Sequence, residues 1–379
     1  MLSLYIASRV VFAGLGVRFD AAALYQDYLQ FLDLESLKFN LLRSLWVWHS
    51  QPPLFNALIG MALKQGVFNG EAVLHGMFIM CGLVLMVSLF RLQLALGVTT
   101  ALAAVSSLIF MISPATLLHE NWLFYTYPVT ALLALSACLL WRFLQKPSAL
   151  NAHFYFSSLA LLILAQGIFT IFWFILVLGY HLISLKKLRK RIMVASVGPG
   201  LAVVVLLGRT LYFTGSVAAG EAFASFQMAA NTTYSLLSTG ETEDLIGTGQ
   251  LSPIARVAPY LSFYKYKEVF KSSGRKWNEP LLDNEHHAAT GFRNFNSVGY
   301  LELSRAMKKD AFVVLKMYPE RYGQRVFRQF RKQYFLPAED HPPFESNYVN
   351  SEKLANWKKI FSRIFLGQWK DKAPAVVLL

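Results

Sequence analysis

The chain has 379 residues, 55% of them hydrophobic and only 15% charged, with a mean hydropathy of +0.40. That balance excludes an ordinary soluble enzyme and fits a polytopic membrane protein. A formal charge of +14 would suggest nucleic acid in a soluble protein. In a membrane protein it reads as cytoplasmic loop charge and attraction to anionic headgroups, so anionic membrane lipids are expected partners and nucleic acid is not.

A hydrocarbon core about 30 Å thick needs about 20 apolar residues per helix. In chain order the candidate spans are residues 2–17, 72–90, 99–112, 122–141, 154–165, 168–185 and 192–213. The first run has no small-residue cleavage site and reads as a retained span, although Arg9 sits inside it. A further apolar stretch, 53–68, is broken by Lys64, Gln65 and Gly66 and reads as a half-buried or interfacial helix. Cys81 and Cys138 lie in apolar runs, which argues against a disulfide framework and a cysteine zinc site.

Short-loop Lys and Arg set the orientation. The cluster Lys186, Lys187, Arg189, Lys190 and Arg191 is the strongest, with Arg142, Lys146 and Arg91 weaker. With these inside, seven spans thread consistently. Residues 18–71 then form a long outside loop with juxtamembrane helices, and the loop at His119 and Glu120 is outside too. The expected fold class is an all-α polytopic membrane protein, with a transmembrane module over 1–213 and a mainly helical exoplasmic domain over 214–379.

The C-terminal region is polar. Residues 231–253 and 272–280 are punctuated by Asn, Gly, Ser and Pro and read as loops. Helical periodicity returns over 300–316. After Pro319, Tyr322, Val326, Phe330 and Tyr334 recur among Arg321, Arg325, Arg328, Arg331 and Lys332. That pattern predicts a basic amphipathic helix on a headgroup surface. Asp283-Asn284-Glu285-His286-His287 invites a metal reading, but adjacent histidines diverge on a helix, so a solvated loop is expected. His341-Pro342-Pro343-Phe344 is expected to be a loop as well, and Asn231-Thr232-Thr233 fits a glycosylation sequon.

Three features together carry a resemblance. Asp20 follows the first span, with Tyr25 five residues on. Gln51-Pro52-Pro53-Leu54 precedes a short apolar helix. Glu120 follows Ser113-Pro114 in the next outside loop. In order, spacing and topology this resembles the GT-C superfamily of membrane glycosyltransferases, which includes the protein O-mannosyltransferases and the aminoarabinose transferases of lipid A. The resemblance covers roughly the first 215 residues. It implies seven spans, a soluble outside domain and sugar transfer from a polyprenyl phosphate. The acceptor would be a glycan, lipid or protein. No separate cofactor is implied, since the lipid-linked sugar is the donor substrate. Many members have His where this chain has Gln51. The chain also lacks the Asp-x-Asp pair of metal-dependent members, so no bound metal is expected.

The resemblance makes Asp20 the candidate general base for an acceptor hydroxyl. The competing reading is a carboxylate that caps a juxtamembrane helix, and Asp27 and Asp33 are rival acids. Glu120 could share the base role or bind substrate, in a setting of His119, Asn121, Trp122, Tyr125 and Tyr127. The plainer reading is an interfacial aromatic belt. Arg18, Arg209, Arg256 and Arg293 are candidates to meet the leaving phosphate, Arg209 foremost because a cation near a span end is costly unless paired. Tyr25, Gln51, His119, Asn121, Tyr125 and Arg209 are thus the expected substrate-binding set, with Asp20 and Glu120 catalytic. The alternatives are a transporter or flippase, another envelope enzyme such as a polymerase, ligase or acyltransferase, and a non-catalytic envelope assembly protein. The expected location is the bacterial inner membrane.

Overall fold

A computed structural model describes residues 1–27, 29–64, 69–335 and 352–365. Gln65, Gly66 and the His341-Pro342-Pro343-Phe344 stretch fall outside the described residues, as do the side chains of Arg331, Lys332 and Tyr334. The fold is all-helical, 73% helix, with no strand among the described residues.

The helices follow the apolar stretches. α1 is Leu2–Gly14. The first long loop holds α2 (Leu34–Phe39), α3 (Leu41–Val47) and α4 (Leu54–Leu63). Next come α5 (Gly70–Ala95), α6 (Thr100–Met111), α7 (Pro114–Glu120) and α8 (Thr126–Gln145). They are followed by α9 (Ala149–Ala165), α10 (Ile171–Ser184) and α11 (Arg189–Thr214). The polar part contains α12 (Glu221–Asn231), α13 (Thr233–Leu236), α14 (Thr239–Gly247) and α15 (Pro280–Asp283). It ends with α16 (Val298–Met317), α17 (Pro319–Phe335) and α18 (Glu352–Phe365).

Three helices are long and apolar enough to cross a membrane: α5, α8, and α11 with the turn before it. α6 and α7 make a fourth candidate, bent by 62° at their junction. The bend is local chemistry. Ser113 accepts the Thr116 N–H and Pro114 opens the next turn, so a new helix begins there. The stretch 231–253, expected as loop, instead forms α13 and α14. A capping box between Ser238 and Glu241 starts α14, satisfying end N–H groups that a loop would leave to water.

The chain divides into two compact units. The first comprises residues 1–23, 61–203 and 330–379, the second 24–60 and 204–329. The division thus falls inside α11, and most of the first long loop groups with the polar part. In the first unit α5 packs on α6 and α8, and α8 packs on α9. Phe78, Leu85, Met86, Ala103, Phe143 and Phe156 are buried there. α18 packs on α7. Its Trp357 lies against Phe12 and donates its indole N–H to the Ile112 carbonyl at 3.3 Å.

In the second unit α12 lies along α16 over an aromatic core of Phe226, Tyr266, Phe295 and Tyr300. Fully burying a side chain such as Phe226 contributes roughly 1.5–3 kcal/mol. Asn296 is the polar hub. Its side-chain oxygen accepts the His49 and Ser50 N–H groups at 2.6 and 3.0 Å, while its amide donates to the Val47 carbonyl at 3.0 Å. The turn before Gln51 is thereby fixed to the polar part of the chain.

Candidate functional site

In the first unit the two loops that carry Asp20 and Glu120 are joined by backbone. The Asp20 N–H donates to the Asn121 carbonyl at 2.7 Å, and the Leu123 N–H donates to the Asp20 carbonyl at 2.9 Å. This forms an isolated parallel bridge between Asp20 and Trp122. Asn121 closes α7 by donating its side-chain amide to the Leu117 carbonyl at 2.8 Å. Trp122, Phe124 and Tyr125 then stack in series, with ring centroids 4.5 and 4.3 Å apart. The Asp20 backbone is therefore brought to the 119–125 segment that carries His119, Glu120, Asn121 and Tyr125.

The two acids differ sharply in surroundings. Asp20 is half-buried, and one carboxylate oxygen accepts the Ala22 N–H at 2.8 Å in a local turn. It makes no ion pair among the described residues. Glu120 has 0% exposure. Arg9 donates to both of its oxygens, Nε to Oε1 and Nη2 to Oε2, each at 2.7 Å. The Tyr5 and Tyr127 hydroxyls also donate to Oε2, at 2.9 and 2.7 Å. Such a bidentate pair is stable in a low-dielectric interior only when its remaining lone pairs are satisfied, as here.

Gly82 of α5 makes room for this cluster. A Cβ built there would lie 2.5 Å from Glu120 Oε2 and 2.8 Å from the Tyr127 hydroxyl, and closer still to the Tyr5 hydroxyl. Beside the cluster opens a cavity of about 270 Å³ between α1, α5 and α7, lined by Arg9, His75 and Asn121 among apolar side chains. His75 stacks on Phe19 at 5.0 Å, next to Asp20 in sequence.

The second unit holds the other expected residues. Gln51 is buried, and the His49 carbonyl accepts the Gly220 N–H at 2.9 Å. Gly220 opens α12 in the left-handed region at φ +80°, which favours glycine. Arg209 donates to the Leu45 and Trp48 carbonyls at 2.5 and 2.7 Å and so caps the C-terminal end of α3. His49 is wholly buried, and its Nε2 has no hydrogen-bond partner among the described residues. Burial lowers its pKa to about 4, against a raising contribution from the Asn296 bond. Tyr25 is 53% exposed, at the end of a short 3₁₀ turn.

The rival acids are engaged. Asp27 pairs with Arg293 at 2.5 Å. Asp33 caps α2 through Ser36 and meets His287 Nδ1 at 3.1 Å. Burial would raise the Asp33 pKa, but the His287 and Ser36 hydrogen bonds prevail and hold it at about 2. His287 is thus a nearly buried side chain rather than part of a solvated loop, because Asp33 supplies the partner that makes its burial tolerable. Arg256 pairs with Glu243. Of the arginines considered for phosphate, Arg18 is exposed and lies two residues before Asp20. No group of three or more His, Cys, Asp or Glu among the described residues could hold a metal ion.

Sequence reasoning left Arg9 without an assigned partner and did not single out Tyr5, Gly82 or His75. The available signal was Arg9 itself, since a cation inside an apolar run requires a buried acid. Compared with known proteins, the chain matches no family model, no curated protein and no solved structure.

Proposed function

We propose that the protein is a GT-C-like membrane glycosyltransferase that moves a sugar from a polyprenyl phosphate to an acceptor at the outer face of the bacterial inner membrane. The observation that carries this reading is the backbone bridge between Asp20 and Trp122. It puts a half-buried carboxylate beside the Asn121 to Tyr125 aromatic loop, the setting that the resemblance requires of the two outside loops. The seven-span threading belongs to this reading. It adds α1, α6, α9 and α10 to the three longest apolar helices and places residues beyond 213 outside.

In the reaction Asp20 takes the proton of an acceptor hydroxyl. The acceptor oxygen forms a bond to the anomeric carbon as the sugar–phosphate C–O bond breaks, and the lipid phosphate leaves with the bond electrons. Arg18, exposed nearby, is suited to meet that phosphate. The Trp122, Phe124 and Tyr125 rings offer apolar faces to a sugar. Glu120 is a positioning residue: with Arg9 it anchors the end of α7, from which Asn121 and the aromatic loop emerge. α17 supports membrane-surface docking through exposed Phe327 and Phe330 beside Arg328, whereas Arg321 and Arg325 bond to Glu241 and Asn231.

The test is transfer by the full chain in lipid nanodiscs, with a panel of polyprenyl-phosphate sugars against lipid, glycan and peptide acceptors. Transfer that drops by about 10²–10⁴-fold in Asp20→Asn, with unchanged thermal unfolding, supports the reading. Single cysteines introduced by Asp20→Cys, Phe124→Cys, Lys187→Cys and Lys308→Cys, in a chain lacking Cys81 and Cys138, fix topology. Labelling of positions 20 and 124 from opposite sides of intact cells overturns it.

A further inference from the structure

Two loops of the first unit carry exposed cations that no acid of the chain answers. Between Glu120 and Glu221 the sequence holds no Asp or Glu. Arg142 and Lys146 stand at the end of α8. Lys186, Lys187, Arg189, Lys190 and Arg191 cluster where α10 gives way to α11. All are exposed, and none forms an ion pair among the described residues. The first pair suits the negative end of a helix dipole. Arg189, Lys190 and Arg191 do the opposite, because they crowd the positive end of α11, where no acid offsets them. That local cost calls for an anion from outside the chain.

The loops are tied rather than slack. Arg191 donates through Nη1 to the Pro147 carbonyl, which joins the second loop to the first. Ser148 accepts the Asn151 N–H at 3.1 Å, and the Asn151 side chain donates to the Lys146 carbonyl at 2.8 Å. Arg189 Nε donates to the Leu182 carbonyl at 2.7 Å. A positive-inside bias requires only that such charges lie in short loops, not that the loops be bonded together. A platform already ordered loses less entropy when it grips a ligand.

The flanks select the carrier of the anion. Leu144, Leu150, Ile183 and Val194, close in sequence to the cations, are exposed, as are Trp141 and Tyr180. Free phosphate or a polynucleotide leaves that apolar surface in water. A phospholipid covers it with its chains, and Trp and Tyr favour the headgroup level. We propose that these two tied loops form a binding site for the phosphate of an anionic phospholipid. Net charge points to anionic headgroups in general, whereas the bonded loops give them an address. The site is independent of the transferase reading, because its test reads lipid binding and stands if transfer is absent.

The experiment titrates the full chain in detergent with phosphatidylglycerol or phosphatidylcholine, and native mass spectrometry reads the bound lipid. Tighter binding of phosphatidylglycerol is expected, weakening as salt is raised. Each cation removed should cost about fivefold, so Lys186→Gln with Lys187→Gln and Lys190→Gln should weaken binding on the order of 10²-fold. In the wild-type chain in nanodiscs, a photoreactive phosphatidylglycerol should cross-link to residues 142–150 and 183–194. That readout needs no variant, so a folding defect in the triple variant leaves the test intact. Equal binding of the two lipids, unchanged affinity in a folded triple variant, tighter binding of a polynucleotide, or cross-links confined to other segments such as α17 each overturns the proposal.

Discussion

Arg9 and Glu120 form a bidentate ion pair across 111 residues of sequence, with Nε–Oε1 and Nη2–Oε2 both at 2.7 Å and Glu120 fully buried. Removing one partner strands the other in the interior. Arg9→Met or Glu120→Ala should destabilise the first unit by roughly 3–5 kcal/mol. The double substitution Arg9→Met with Glu120→Leu should recover much of that loss. Unfolding midpoints in detergent check this; a double variant as unstable as the singles would refute the pairing energetics.

Gly82 faces the same cluster. Gly82→Ala forces the Tyr5 and Tyr127 hydroxyls and the Glu120 carboxylate apart. The expected cost is about 1–3 kcal/mol, typical of overpacking, although alanine is the better helix former. A stabilised Gly82→Ala protein would show that the cluster has slack.

His49 gives the second unit an acid sensitivity. Its folded pKa, about 4, lies below the ordinary histidine value near 6.5. At pH 7 both states hold it neutral. As pH falls from about 6.5 to 4 the unfolded chain takes up a proton that the folded chain refuses, so stability declines, on the order of 3 kcal/mol in full. His49→Gln should flatten stability across that window, measured by intrinsic tryptophan fluorescence during unfolding at pH 7, 6 and 5.

Asp33 acts in a lower window. Its folded pKa of about 2 lies below the ordinary carboxylate value, so its contribution is complete above about pH 4 and is lost as pH falls toward 2. Asp33→Asn keeps the cap on α2 but loses the charge, so unfolding curves of variant and wild type should converge below about pH 2.

Arg209 closes α3 through two carbonyls. Arg209→Met takes the donor from the buried Trp48 carbonyl and the half-buried Leu45 carbonyl and should cost about 1–3 kcal/mol. Arg209→Lys, with a point charge in place of a planar fork, should restore only part of it. Equal stability of the Met variant would remove the capping role and return Arg209 to the pool of phosphate-binding candidates.

Much of the helical layout was legible because hydrophobic length is a strong signal. The stretches at 72–90, 122–141 and 192–213 became α5, α8 and most of α11. The adjacency of Asp20 to the Glu120 loop was also legible as an expectation, through spacing and loop charge. What the sequence could not supply was the inward turn of Glu120. That depends on Tyr5, Arg9, Gly82 and Tyr127 converging from different helices, and no local pattern encodes such a meeting. The helices α13 and α14 were hidden because polar, glycine-bearing segments read as loops until a capping box such as Ser238 with Glu241 is weighed. His287 was misjudged for the same nonlocal reason: its partner Asp33 lies far back in the chain.

The ion pair also constrains how the protein is made. Arg9 leaves the ribosome well before Glu120, and during that interval its charge has no internal answer. At about 5–20 residues per second the wait is on the order of ten seconds. In the seven-span threading we propose, α1 crosses the membrane; a lone arginine resists transfer into hydrocarbon, so α1 would stay in a hydrated passage until α7 arrives. Under that threading, final seating of the first helix follows synthesis of the seventh, and a ribosome stalled between them would leave a chain whose first helix can still be extracted.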